Sequence, residues 1–146
     1  MKVLLSPLGM SPGLLFSALK NVEPDYLVIV SSSDAIANLP EVFAVAKYSR
    51  EYIVCLVNDP FTFNTDIEQL FGDVFNVHNL FNDVEWFVNI TGGTTALQYY
   101  VQRLERRVRE LGIATTTIAM VDRRERADQA AAPYVKSDLI VVEVER

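Results

Sequence analysis

A chain of 146 residues, half of them hydrophobic and 22% charged, is sized for one domain with a proper core and excludes an intrinsically disordered chain. The net charge of −6 excludes broad electrostatic adhesion to duplex DNA, which demands a positive surface. A single cysteine excludes an internal disulfide and fits a reducing cytoplasm, and no apolar run reaches the ~18 residues of a membrane span.

Apolar runs of strand length recur along the chain with helical segments between them. Residues 2–6 (KVLLS) read as strand 1; Pro7, Gly9, Pro12 and Gly13 then break the apolar start, so no signal peptide is expected. Residues 11–20 carry apolar positions at 14, 15, 18 and 19, one helix face, with Pro12 at a tolerated early position. Residues 26–31 (YLVIVS) form strand 2, apolar enough for both faces to be buried. A mostly helical stretch over 34–50 restarts at Pro40 and leads to strand 3 at 52–57 (YIVCLV), stopped by Asn58, Asp59 and Pro60. A helix over 66–80 precedes strand 4 at 86–90 (WFVNI). The longest helix, 93–111, puts Leu97, Tyr100, Val101, Leu104, Val108 and Leu111 on its inner face and ends at Gly112. Strand 5 covers 113–121, and strand 6, DLIVVEVE at 138–145, alternates enough to be an edge.

Strands alternating with helices predict an α/β fold, a three-layer Rossmann-like doubly wound sheet. Right-handed crossovers give strand order 3-2-1-4-5-6, mostly parallel. No clear helix separates the last two strands, so strand 6 is expected to run antiparallel. No repeat, linker or second domain is visible, and residues 1–146 read as one domain.

In that order strands 1 and 4 are neighbours at the switch point, where open α/β sheets bind ligands beyond the carboxyl ends of their strands. The loops leaving them are SPLGMSPG, residues 6–13, and NITGGTTA, residues 89–96. Their glycines permit tight turns, and the helices that follow aim unpaired N–H groups and a partial positive charge at the gap, which suits phosphate. Ser6, Ser11, Thr91, Thr94 and Thr95 supply hydroxyls, and Asn89 an amide. Neither GxGxxG nor GxxxxGK[ST] occurs, so neither a dinucleotide cofactor nor P-loop chemistry is expected. No His, Cys and carboxylate set has metal-ligand spacing.

Seven of the 13 basic residues are Arg103, Arg106, Arg107, Arg109, Arg123, Arg124 and Arg126. Arg123 or Arg124, after strand 5 on the carboxyl side of the sheet, is placed to meet a phosphate or an adenine face, with a solvated charge run as the equal alternative. Arg103, Arg106 and Arg107 lie further along the long helix and read as a solvated or dimer-edge face. His78, the only histidine, lies away from both loops and reads as partly buried or capping. Asp34, Asn58 and Asp59 read as turn and cap residues.

Taken together, the two loops resemble the signature loops of CARF domains, the CRISPR-associated Rossmann-fold sensors of cyclic oligoadenylate. TGGT at 91–94 is the most specific part, and the resemblance runs the whole chain. It implies a homodimer binding one symmetric ring across its two-fold axis. A compact domain with short loops favours cyclic tetra-adenylate over the hexa-adenylate, and the net charge and apolar run lengths leave duplex DNA and membrane out as expected partners. A stand-alone domain of this kind is similar to the ring nucleases. These need no metal or cofactor, because the ring's own 2′-hydroxyl attacks the adjacent phosphate and leaves a linear product ending in a 2′,3′-cyclic phosphate. For that step the hydroxyls at the two helix starts make Ser11, with Thr91 or Thr94, the expected catalytic donors. The resemblance assigns Ser6, Leu8, Gly9, Met10, Asn89, Gly92, Gly93, Thr95, Arg123 and Arg124 to ligand binding. The aromatics in the middle of the chain read as core, with Phe61 or Phe63, in the loop after strand 3, as the exception: a candidate to stack on an adenine or close over the ligand. Two departures stand out: there is no RxxxxH ribonuclease motif, and Thr95 stands where many members carry lysine. A non-catalytic sensor or sponge, and a nucleotide-binding protein sharing only the topology, are the alternatives.

Overall fold

The computed structural model describes residues 1–142. Its elements are β1 (Lys2–Leu8), α1 (Gly13–Val22), β2 (Tyr26–Ser31), α2 (Leu39–Ala46), β3 (Glu51–Leu56) and α3 (Ile67–Asn79), followed by β4 (Glu85–Asn89), α4 (Thr95–Glu110), β5 (Thr115–Val121), α5 (Arg126–Ala131) and β6 (Asp138–Val141). They build one six-stranded sheet in the order β3-β2-β1-β4-β5-β6, parallel throughout except for β6, which is antiparallel to β5. This is the expected architecture and strand order.

Strand parity divides the core into two layers. Val3 and Leu5 of β1 join Val28, Val88 and Trp86 beneath α3 and α4. Leu4 and Leu8 point the other way and pack with Leu27, Ile29, Leu15 and Leu19 beneath α1 and α2. All six residues of β2 are buried, as a strand with helices on both faces requires. Helix α4 presents Leu97, Tyr100, Val101, Leu104 and Val108 to the first layer.

The structure corrects several sequence expectations. β1 runs on to Leu8, so Ser6, Pro7 and Leu8 belong to the strand and not to the loop. The stretch over 34–50 splits into a 3₁₀ turn at Ala35–Asn38 and α2, with Pro40 in the first turn of α2. Leu111 lies past the end of α4 and is exposed. A short helix, α5, does separate β5 from β6; none of its residues is buried, so no apolar period announced it. The part of strand 6 expected over 143–145 lies outside the described residues.

His78 has a structural task. The indole N–H of fully buried Trp86 donates to His78 Nδ1 at 3.1 Å, which gives a core donor the acceptor it needs. Burial pushes the Cys55 thiol up to about 12, which leaves it protonated and a poor nucleophile. Arg107 is not a free surface charge, because it pairs with Glu68 and lies over the Phe71 ring, tying α4 to α3.

Gly72, inside α3, is a weak point with open space around it: a Cβ there meets nothing within 4 Å. Gly72→Ala is expected to raise unfolding stability by about 0.5–1 kcal/mol in a denaturant titration, through the helix preference of alanine. A loss of stability would mean that this stretch of α3 is not helical in solution.

Candidate functional site

The ends of β1 and β4 lie side by side, and the loops that leave them touch backbone to backbone. A Cβ on Gly9 would sit 2.5 Å from Gly93 Cα and 3.1 Å from Gly93 N, so the first loop cannot carry a side chain there without moving the second. Gly92 and Gly93 have φ of +99° and +72°, the left-handed region that glycine enters without strain. Gly92 packs over Leu14 at the start of α1, and its carbonyl accepts from Gln98 Nε2 at 3.2 Å. Gln98 was missed by sequence reasoning; its place in the first turn of α4, one helical step from the loop, was the available signal.

Two helix starts border this junction, and they differ. At α4, Thr94 Oγ1 accepts from Leu97 N at 3.3 Å, the ordinary capping bond, which leaves the Thr95 and Ala96 amides as the unpaired first-turn donors. At α1 no side chain caps the helix. Its first intrahelical bond runs from Phe16 N to Pro12 O, so the amides of Gly13, Leu14 and Leu15 have no acceptor within the helix. Ser11 is exposed immediately before this row of donors. Met10 is 71% exposed beside it, and Thr95 is exposed at the other helix.

Several expected ligand residues are instead part of the framework. Ser6 and Asn89 are fully buried and Leu8 nearly so. Asn89 Nδ2 donates to Ser6 Oγ at 3.0 Å and to Thr91 O at 3.2 Å, while its Oδ1 accepts from Thr91 N at 3.1 Å. Thr91 Oγ1 donates to the same Oδ1 at 2.5 Å and accepts from Met120 N at 3.0 Å. This polar bracket joins the ends of β1, β4 and β5. The Thr94 hydroxyl is occupied twice, since it also donates to Pro60 O and pins the loop after β3.

The basic pair also divides. Arg124 forks onto Asp122 with contacts of 3.0 and 2.8 Å and reaches Ala132 O at 2.9 Å, bracing the loop that carries α5. Hydrogen bonding from Arg124 holds the Asp122 carboxyl below the usual carboxylate range. Arg123 is exposed and meets only Asp138, at 3.2 Å on the surface, among the described residues. The segment beyond α5 lies along α1: Gly13 abuts Pro133 O, Tyr134 packs edge-on against Phe16 at 5.6 Å, and Ser17 bonds Ser137 N at 2.9 Å.

A cavity of about 1060 Å³ lies elsewhere, an open groove between α4 and β5. Two of its arginines are paired, Arg109 with Glu105 and Thr117 and Arg106 with Glu110 at 3.4 Å, while Arg103 lies over the Tyr99 ring. Among the described residues no group of three or more His, Cys, Asp or Glu is placed to hold a metal ion, and no helix is long and apolar enough to cross a membrane.

No protein-family model matches the chain, and no curated protein matches its sequence. Solved structures do match. Csm6 of Enterococcus italicus, bound to cyclic hexa-2′-fluoro-hexa-dAMP, aligns with 99% of this chain and 41% of its own at 12% identity and a TM-score of 0.70. Can2 of Sulfobacillus thermosulfidooxidans, in complex with cyclic tetra-adenylate, aligns with 83% of this chain and 32% of its own at 11% identity and a TM-score of 0.64. A type III CRISPR defence DNA nuclease activated by cyclic oligoadenylate aligns with 81% of this chain and 18% of its own, at 15% identity and a TM-score of 0.59. The chain has the CARF fold. It spans less than half the length of each of these neighbours. In this CARF fold the junction of Gly9 with Gly93 marks the switch point.

Gly9→Ala is expected to cost about 1–3 kcal/mol in denaturant unfolding, because the new methyl group meets backbone that cannot swing aside; unchanged stability would show that the loops do not touch. The Asp122 carboxyl is depressed in the folded state, so its contribution to stability is present above the unfolded value of about 4 and lost as pH falls through the lower folded value. In Arg124→Ala, Asp122 should titrate near about 4 by carboxylate NMR, and amide exchange over 122–132 should quicken.

Proposed function

We propose that the switch-point loops hold a cyclic oligoadenylate and cleave it without metal, as a ring nuclease that ends type III CRISPR signalling. The observation that carries this reading is the row of amides without an intrahelical acceptor at the uncapped start of α1, next to the glycine junction with α4. Backbone N–H groups at helix starts favour phosphate. The fold is that of proteins solved with such rings. A ring of four or six identical nucleotides is symmetric, so two copies of the chain around a two-fold axis would present the same loops to both halves. A buried thiol and no expected disulfide suit the cytoplasm.

In the cleavage step a ribose 2′-oxygen forms a bond to the adjacent phosphorus, and the bond from phosphorus to the 5′-oxygen breaks. The 2′-hydroxyl proton leaves to water, and the departing 5′-oxygen takes one up. The product is a linear strand with a 2′,3′-cyclic phosphate and a free 5′-hydroxyl. The protein supplies alignment of the three reacting atoms and hydrogen bonds to the phosphate oxygens. The Thr91 and Thr94 hydroxyls are committed to the framework, so the role of side-chain donor falls to Ser11, with amides of Gly13, Leu14 and Thr95 beside it. Arg123 contributes positive charge at the rim.

That same commitment of hydroxyls favours a second reading, in which the domain holds the ring and does not cut it. One experiment separates the two: radiolabelled cyclic tetra- and hexa-adenylate are incubated with the pure protein in excess chelator and the products resolved. The nuclease reading predicts linear product, slowed about tenfold or more by Ser11→Ala and little by His78→Ala. Tight binding of an intact ring would establish the sensor, and no binding would remove both.

A further inference from the structure

Given a nucleotide ring held by the two loops, we propose that Phe61 is a rigid stacking platform for one of its purine bases. The loop between β3 and α3 is fastened along its length. Thr94 Oγ1 donates to Pro60 O, and Asp59 Oδ1 accepts from Phe61 N at 2.9 Å. Tyr100 OH donates to Thr62 O at 3.1 Å and accepts from Thr65 N at 2.9 Å, while Asn58 N donates to Thr65 Oγ1 at 3.2 Å. The Phe63 ring stands edge-on against Tyr99, with centroids 5.1 Å apart, so it serves as an anchor.

What this fastening leaves outside is the Phe61 side chain. At 78% exposure it is the most exposed large apolar side chain among the described residues. A tethered loop that holds a phenyl ring in water forgoes the burial that folding gives the other aromatics. Its place is set by the Thr94 bond, which puts it one residue from the start of α4 and the glycine junction. Met10, 71% exposed in the facing loop, adds a second apolar side chain at the same end of the sheet. Phosphates on the helix amides and a base on an aromatic face are the two halves of single-strand nucleotide recognition. Because the backbone of the loop is fixed before binding, little ordering is left to oppose the stacking. Purines offer the larger face, so the platform prefers adenylate over uridylate rings.

The test is calorimetric titration of cyclic tetra-adenylate and cyclic tetra-uridylate into the wild-type chain, Phe61→Ala, Phe61→Tyr and Leu80→Ala. Leu80 is a control, 65% exposed at the end of α3. Phe61→Ala is expected to weaken the adenylate ring about tenfold or more and to narrow its advantage over the uridylate ring. Phe61→Tyr should keep both, and Leu80→Ala should change neither. A melting curve for Phe61→Ala that matches the wild type shows that the fold survives. If the wild type binds and Phe61→Ala binds equally well, the platform is wrong and the ring site stands. If the wild type binds neither ring, the site itself is wrong and the platform goes with it.

Discussion

Between the ends of β1 and β4 there is no room for a side chain. The contact of Gly9 with Gly93 fixes how closely two loops from distant parts of the chain approach, and the surrounding site takes its shape from that distance. Below it, Ser6, Asn89 and Thr91 lock three strand ends together through buried hydrogen bonds. Beside it lie the first turns of α1 and α4, with Gly92 against Leu14 and Thr94 capping α4. Gln98 and Thr94 then tie α4 to the Gly92 carbonyl on one side and to the loop carrying Phe61 on the other.

The consequence is a division of labour between side chains and backbone. Polar side chains that look like ligand-binding groups hold the frame, while the groups left unpaired are mostly main-chain amides. Such a site asks for glycines and helix starts and places few demands on particular side chains.

Much of the fold was legible in the sequence because its signals are local. Fully apolar runs such as YLVIVS mark strands covered on both sides, and the stripe from Leu97 to Val108 marks the inner face of α4. The adjacency of β1 and β4 came from the handedness of crossovers, which needs no side-chain detail. The direction of Ser6 and Asn89 was readable too, since Ser6 shares strand parity with Leu4 and Leu8, and Asn89 with Phe87. Polar identity masked that signal. The bracing of the α5 loop by Arg124 was not legible, because an arginine gives no sign whether its partner is a neighbouring carboxylate or a ligand. Helix α5 carries no buried residue and therefore no period to detect.

The central claim is that backbone amides at the two helix starts receive the ring's phosphates. Amide chemical-shift mapping with cyclic tetra-adenylate tests it most directly. The account predicts that the largest perturbations fall on Gly9, Gly13, Leu14, Gly93 and Thr95, with smaller ones in the α4–β5 groove around Arg109 and Thr117. Perturbations concentrated in that groove, with the glycine junction silent, would contradict it.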